Sequence, residues 1–228
     1  MCLRPHRAFG VLFGSRWAHR GVLAGQGGTA STLASLTAFS VRASRLMWTP
    51  SALTAHIAAG NDVDFLFFWG HTPRAHGVVD ASCLSQWFLR AFVLDGIEYA
   101  SAEHFMMAEK ARLFDDERTL ERILVAATPK EAKQLGREVQ NYDDSRWVAA
   151  RVDAVVRGNV AKFIAHADLL AFLLGTGDRL LVEAAPRDTV WGIGLGAANI
   201  KARDPSQWRG ENLLGFALVE VRETLRAR

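Results

Sequence analysis

Residues 95–114, DGIEYASAEHFMMAEKARLF, decide how the chain is read. Asp95-Gly96 is a turn signal, and the apolar residues on either side of it predict short extended segments. Ser101 stands before an apolar-periodic run. Its hydroxyl can accept from the free N–H groups of a first turn, so the run is read as a capped helix. Projected at about 100° per residue, Met106, Met107, Ala111, Leu113 and Phe114 share one arc, with Glu103 and Lys110 at its centre. Two turns separate those two charges, roughly 10 Å along the axis. That is too far for a direct pair, yet both point inward. Buried charges are costly unless something satisfies them. Either long stems carry both charges to solvent, or the helix face belongs to a site.

The 228 residues suffice for one large domain, or one domain with an appendage. With 50% hydrophobic and 22% charged residues the composition is that of an ordinary globular chain. Two cysteines, Cys2 and Cys83, imply no disulfide framework and point to a reducing, cytoplasmic setting. No apolar run reaches the length of a membrane-spanning helix, so no membrane partner is expected. The net charge of +3 is unevenly spread. Residues 1–60 hold six Arg and no acid, so the other 21 Lys and Arg face all 24 Asp and Glu. The body is therefore net −3, which argues against a basic nucleic-acid face.

Residues 1–46 are acid-poor, rich in Gly, Ser, Ala and Arg, and without sustained period. They read as a disordered, targeting-like or non-native extension, with Met47 a plausible start and a domain over 47–228. A capped helical pattern follows in MWTPSALTAHIAAG. Residues 62–71 read as a strand packed on both sides, 72–80 as a Pro/Gly loop, and Phe92–Leu94 as a second strand. After the opening helix come helices over 115–127 and 129–139, the latter with Thr128 as cap and Pro129 in its first turn. The helix predicted over 145–166 places Val148, Val152, Val155, Phe163 and His166 on its inner face, with Asn159 and Lys162 on the same seam. A short helix (168–174), a buried strand (179–185), a Gly-rich loop (191–197) and a closing helix (212–225) complete the chain.

GIGLGA at 192–197 nominally fits the dinucleotide-binding fingerprint, but no βαβ unit surrounds it. Its glycines are better read as a tight loop approaching another segment or a ligand. The seven His show no HExxH or comparable spacing, and there is no G-x-S-x-G elbow, so neither a metal nor a cofactor is expected. Trp69, Trp87, Trp191 and Trp208 sit beside turn residues, and Glu183, Asp188 and Asn212 lie in the same words as the last two. Each Trp alone is explained by packing. Together, aromatic faces beside carboxylates suit a flat heterocycle carrying a ribose.

The words EYASAEHFMMAEKA, KFIAH, TGDRLLVEAAPRDTVWGIGL and WRGENLLGFAL occur in the order and spacing of the NADAR superfamily, and the chain resembles its YbiA-like branch from about Phe65 to Arg226. The resemblance implies an α+β, predominantly helical domain with a small β-sheet. It also implies hydrolysis of N-glycosidic bonds in phosphoribosylamino-pyrimidine intermediates of riboflavin synthesis. Other members remove ADP-ribose from guanine bases, and a binding module without turnover is a third class. The expected partner is thus a small phosphoribosyl or ADP-ribosyl compound, with nucleic acid entering only under the second reading. Motif-matched positions assign Glu103 as principal catalytic carboxylate, Asp188 as positioning group, and Lys110 and Lys162 as phosphate-binding, proton-donating or Schiff-base lysines. Trp87, Phe88, Phe163, Glu183, Trp191, Gly192, Trp208 and Asn212 are expected to bind substrate. Two departures stand out: Gln86 precedes Trp87 with no Pro after the aromatic pair, and Met107 replaces a Gln common in the family.

Overall fold

The computed structural model describes residues 48–228, so the extension expected over 1–46 lies outside the described residues. Thr49 accepts from the Ala52 N–H and opens α1 (Pro50–Ala58), with proline in the first turn, where no donor is lost. Strand β1 (Phe65–Phe68) follows, then a 3₁₀ turn at Ala81–Leu84. Strands β2 (Phe92–Leu94) and β3 (Ile97–Tyr99) form a hairpin whose two turn residues, Asp95 and Gly96, have φ of 53° and 77°. Two left-handed residues give the turn twist that matches paired strands, which is why Asp-Gly fits there.

The central helix α2 (Ala102–Leu113) starts as expected, with the Ser101 hydroxyl accepting from the His104 N–H. It is buried on every side from Ala102 to Ala108. Helices α3 (Glu117–Leu124), α4 (Pro129–Glu138, capped by Thr128) and α5 (Asp144–Ala165) surround it. Glycine sets how closely they pack. A Cβ on Gly158 of α5 would fall 2.5 Å from the Phe105 ring, and Gly136 of α4 leaves the space that the Met107 side chain fills. Burying Phe105 contributes about 2–3 kcal/mol. Helix α6 (Ala167–Gly175) leads into β4 (Leu180–Glu183), and α7 (Leu213–Arg226) closes the chain against β4 and α5.

The domain is α+β and predominantly helical. Its strands form two separate two-stranded sheets among the described residues where one small sheet was expected: the β2–β3 hairpin and a parallel β1–β4 pair. In that pair Phe65 faces Leu180 and Phe68 faces Glu183. Both strands are shorter than the apolar runs at 62–71 and 179–185 suggest. Pairing stops once the Ala184 N–H has bonded Phe68 O and the chain turns into the loop that carries the site. On α5, Asn159 and Lys162 are fully buried as the inward seam predicts, whereas Val148 is 44% exposed. The first turn of α5 buries Trp147 instead. Among the described residues no single helix is long and apolar enough to cross a membrane.

Candidate active site

The site grows from the carboxyl end of β4. One edge of β4 is taken by β1; the side chain of Asn212 serves the other. Held at φ 53° and fully buried, Asn212 accepts from the Glu183 N–H at 2.9 Å and donates to Leu181 O at 3.0 Å. The Gly-rich loop docks behind it: the Ile193 N–H donates to Glu183 O at 2.9 Å, and a Cβ on Gly192 would sit 2.8 Å from that oxygen. GIGLGA is thus a close-approach loop. Asp188 organises its start by accepting from the Val190 and Trp191 N–H groups at 2.9 and 2.8 Å through Oδ1. This fixes Trp191, half-buried, with the Arg151 guanidinium 5.9 Å from its ring centre.

From the other side comes Glu103, in the first turn of α2, its N–H bonded to Gln86 O at 2.9 Å. The residue is 2% exposed, and its Oε1 has no hydrogen-bond partner among the described residues. Burial pushes its pKa up to about 7. The charge of Asp188 pushes the same way, against Lys133, a hydrogen bond from Trp87, and Arg137. Glu183 has a buried, unpartnered Oε2, and burial raises its pKa to about 8, reinforced by Asp188 and Glu103 and opposed by Lys133. Lys133, on α4, stands 5.8 Å from the Trp87 ring, whose other neighbour is the His71 ring at 5.6 Å. Two carboxyl groups that hold protons near neutrality therefore share an aromatic-walled place with one negative and one positive charge. Environments that separate acids in this way mark acid–base sites. Among the described residues no three His, Cys, Asp or Glu side chains gather as a metal site.

Of the residues singled out in the sequence, Glu103, Trp87, Glu183, Asp188, Trp191 and Gly192 come together here. Lys110 does not reach the acids: its Nζ donates to Gly136 O at 2.7 Å and lies 4.1 Å from the Tyr142 ring centre. Lys162 is fully buried elsewhere, donating to Cys83 O at 2.6 Å and Ser85 O at 3.2 Å. Burial lowers its pKa to about 8, and the Phe163 and Phe88 rings stand 5.0 and 5.8 Å away. It pins the loop that presents Gln86 and Trp87, while Phe88 and Phe163 belong to the core. Trp208 donates through Nε1 to Ala202 O at 2.8 Å and packs between Phe65 and Phe216. The amide of Asn212 is fully engaged with the β4 backbone.

Sequence reasoning missed Lys133 and the role of Gln86. Lys133 follows Ala132 and precedes Gly136, small buried residues that bring α4 against α2, and that is the signal which could have found it. Gln86 is buried and accepts from Asn159 Nδ2 at 2.7 Å. The departure noted at this position is therefore built into the support of Trp87.

A buried acid cluster with one lysine and aromatic walls, at the carboxyl end of a parallel strand pair, is equipped for acid–base chemistry. The family model described as the NADAR domain matches residues 67–226, and the chain belongs to that family. An N-glycosidase of Acanthamoeba polyphaga mimivirus is 40% identical over 164 residues, which cover 70% of this chain and 95% of that protein. An N-glycosidase of Nostoc punctiforme is 33% identical, covering 63% of this chain and 85% of its own, and the N-glycosidase YbiA of Escherichia coli is 31% identical, covering 64% and 81%. The NMR structure of the Escherichia coli protein YbiA superposes with a TM-score of 0.58 at 27% identity, over 72% of this chain and 86% of that one. The chain is accordingly an enzyme of the N-glycosidase class, a hydrolase of N-glycosyl compounds.

Proposed function

We propose that the chain hydrolyses the C1′–N bond of phosphoribosylamino-pyrimidines, the reactive intermediates of riboflavin biosynthesis, and so disposes of them before they cause damage. The carrying observation is the cluster of Glu103, Glu183, Asp188 and Lys133 against Trp87. A ribosylamine is an aminal, so proton delivery to the ring oxygen lets the nitrogen lone pair open the sugar to a C1′ imine. Glu103, whose raised pKa keeps a large share of the carboxyl protonated near neutral pH, supplies that proton. Its carboxylate then takes a proton from the Lys133 ammonium, and the freed amine adds to C1′. Glu103 relays a proton from the added nitrogen to the aminopyrimidine nitrogen, which departs as the neutral amine and leaves a protonated lysine imine. Water returns the lysine and releases ribose phosphate. Glu183 donates a hydrogen bond to the sugar hydroxyls, Asp188 orients the water, and Trp87 and Trp191 flank the flat base.

Two features support a small substrate over ADP-ribosylated nucleic acid: the net −3 body and the recessed acids. The setting proposed is cytoplasmic. Incubating the protein with a phosphoribosylamino-pyrimidine and, separately, with ADP-ribosylated guanosine tests the reading. Free aminopyrimidine and ribose phosphate from the first are expected. Turnover of the second alone would replace the proposed substrate, and turnover of neither would move the substrate to another N-glycosyl compound.

Lysine identity is open to a direct check. Borohydride added during turnover should reduce the imine and leave a sugar phosphate mass on Lys133, with Lys110 and Lys162 unmodified. Lys133→Met should lose at least about 10²-fold in rate, the lower range for a positioned proton-transfer or nucleophilic group. An adduct on either of the other lysines would refute this assignment.

A further inference from the structure

Three cations beside the acid cluster are left unused by this chemistry. Lys110 lies on the same face of α2 as Glu103, roughly 10 Å further along the axis. Its Nζ is held at Gly136 O and lies 4.1 Å from the ring centre of Tyr142 and 5.9 Å from that of Trp147. Arg137 follows both Gly136 and, one turn back on α4, Lys133. It is exposed, makes no ion pair among the described residues, and its charge is felt by both Glu103 and Lys110. Arg151 stands one turn beyond Trp147 on α5, 5.9 Å from the Trp191 ring centre, and its charge reaches Tyr142. Its Nε is buried without a partner, and Nη2 has only a long 3.6 Å pair with Glu211, a side chain 58% exposed.

Three helices thus bring three cations to one region: Lys110 over the Tyr142 ring, Arg151 close enough for its charge to reach Tyr142, and Arg137 next to the Gly136 carbonyl that holds Lys110. The acids facing them are Glu211, Asp144 and, toward Arg137, Glu103, and Asp144 is already accepting from the Tyr142 hydroxyl at 2.7 Å. A partly buried guanidinium with an unpaired N–H is costly until an anion meets it, and guanidinium–phosphate bonds are among the stronger charge-assisted ones. We infer that Lys110, Arg137 and Arg151 form a subsite for the phosphate monoester of the substrate. This rests on the proposed reading only for the identity of the sugar; recognition of the phosphate stands on the cations themselves.

Ribose 5-phosphate, ribose and ADP-ribose titrated into the full chain separate the sources of the anion. The phosphate ester should bind saturably and ribose should not. Arg137→Gln and Arg151→Gln should each weaken ribose 5-phosphate at least tenfold, with Arg151→Lys recovering part of the loss. In turnover, each Gln variant should lose at least tenfold more kcat/KM on the phosphorylated aminopyrimidine riboside than on its dephosphorylated form. Equal losses on the two substrates, or ribose 5-phosphate binding that both variants leave intact, would overturn the subsite. Binding of ADP-ribose alone would overturn the monoester in favour of a diphosphate. Should neither riboside turn over, the ribose 5-phosphate titration still decides this point.

Discussion

Glu103→Gln should lose turnover by about 10³-fold, within the range for a positioned acid, while becoming harder to unfold at alkaline pH. The two effects have one cause. The Glu103 carboxyl is buried with an oxygen that nothing in the described chain satisfies, and its pKa is raised from 4.5 to about 7. The folded protein therefore binds a proton here that the unfolded chain releases between those values. Its contribution is neutral below pH 4.5, turns unfavourable as pH rises, and is fully unfavourable above pH 7. At about 1.4 kcal/mol per pKa unit this amounts to roughly 3 kcal/mol for the one group. Glutamine keeps the shape and carries no charge to desolvate, so the variant should gain over the parent at pH 8 and match it near pH 4.5. Glu183 titrates in an overlapping window but is present in both proteins. Paired denaturation curves at the two pH values, with kcat at pH 7, are the measurement. A stability difference that does not change with pH, or a rate within fivefold of the parent, would remove Glu103 from its role.

Asn212→Ala should be among the most destabilising single changes in the described chain. It leaves the buried Glu183 N–H and Leu181 O unpaired, each costing about 1–3 kcal/mol. It also asks alanine to adopt φ 53°, worth roughly another 1 kcal/mol. Together the loss is about 4 kcal/mol, much of the stability of an ordinary domain. Asn212→Gly tolerates the backbone but lacks both bonds, so it should fall between. Urea denaturation of the three proteins separates backbone from side chain. A loss below about 1 kcal/mol for the alanine variant would mean that water replaces the amide and that β4 needs no clamp.

How much of this was legible in the sequence follows from where the information sits. Ser101, Thr128 and the Asp95-Gly96 turn are local devices, and each does in the structure what its type requires. Glu103 and Lys162 on apolar seams were legible as inward-facing, because helical period reports direction. Period does not report destination. Lys162 points inward and ends on two backbone carbonyls, while Lys133, on a helix of ordinary amphipathic pattern, is the lysine whose charge acts on both buried acids. Likewise the Trp and Asn words mark one region, yet only the tertiary arrangement separates Trp191, beside the acid loop, from Trp208, a packing residue, and reveals Asn212 as a surrogate strand. Motif matching groups residues that a fold needs together, whether for chemistry or for holding its parts in place.

The parallel pairing of β1 with β4 has a consequence for how activity appears as the protein folds. Phe65 and Leu180 meet across more than a hundred intervening residues. Contacts of such separation carry a large closure entropy and form slowly. Glu183 terminates β4, and the loop bearing Asp188 and Trp191 is tied to it. Glu103, Trp87 and Lys133 belong to the segment that must be looped out before the two strands can join. A partly folded chain that has assembled its helices but not this closure holds one half of the acid cluster without the other. Enzymatic activity in this protein is therefore a readout of a long-range step in its folding, and chains that have not made this closure are silent.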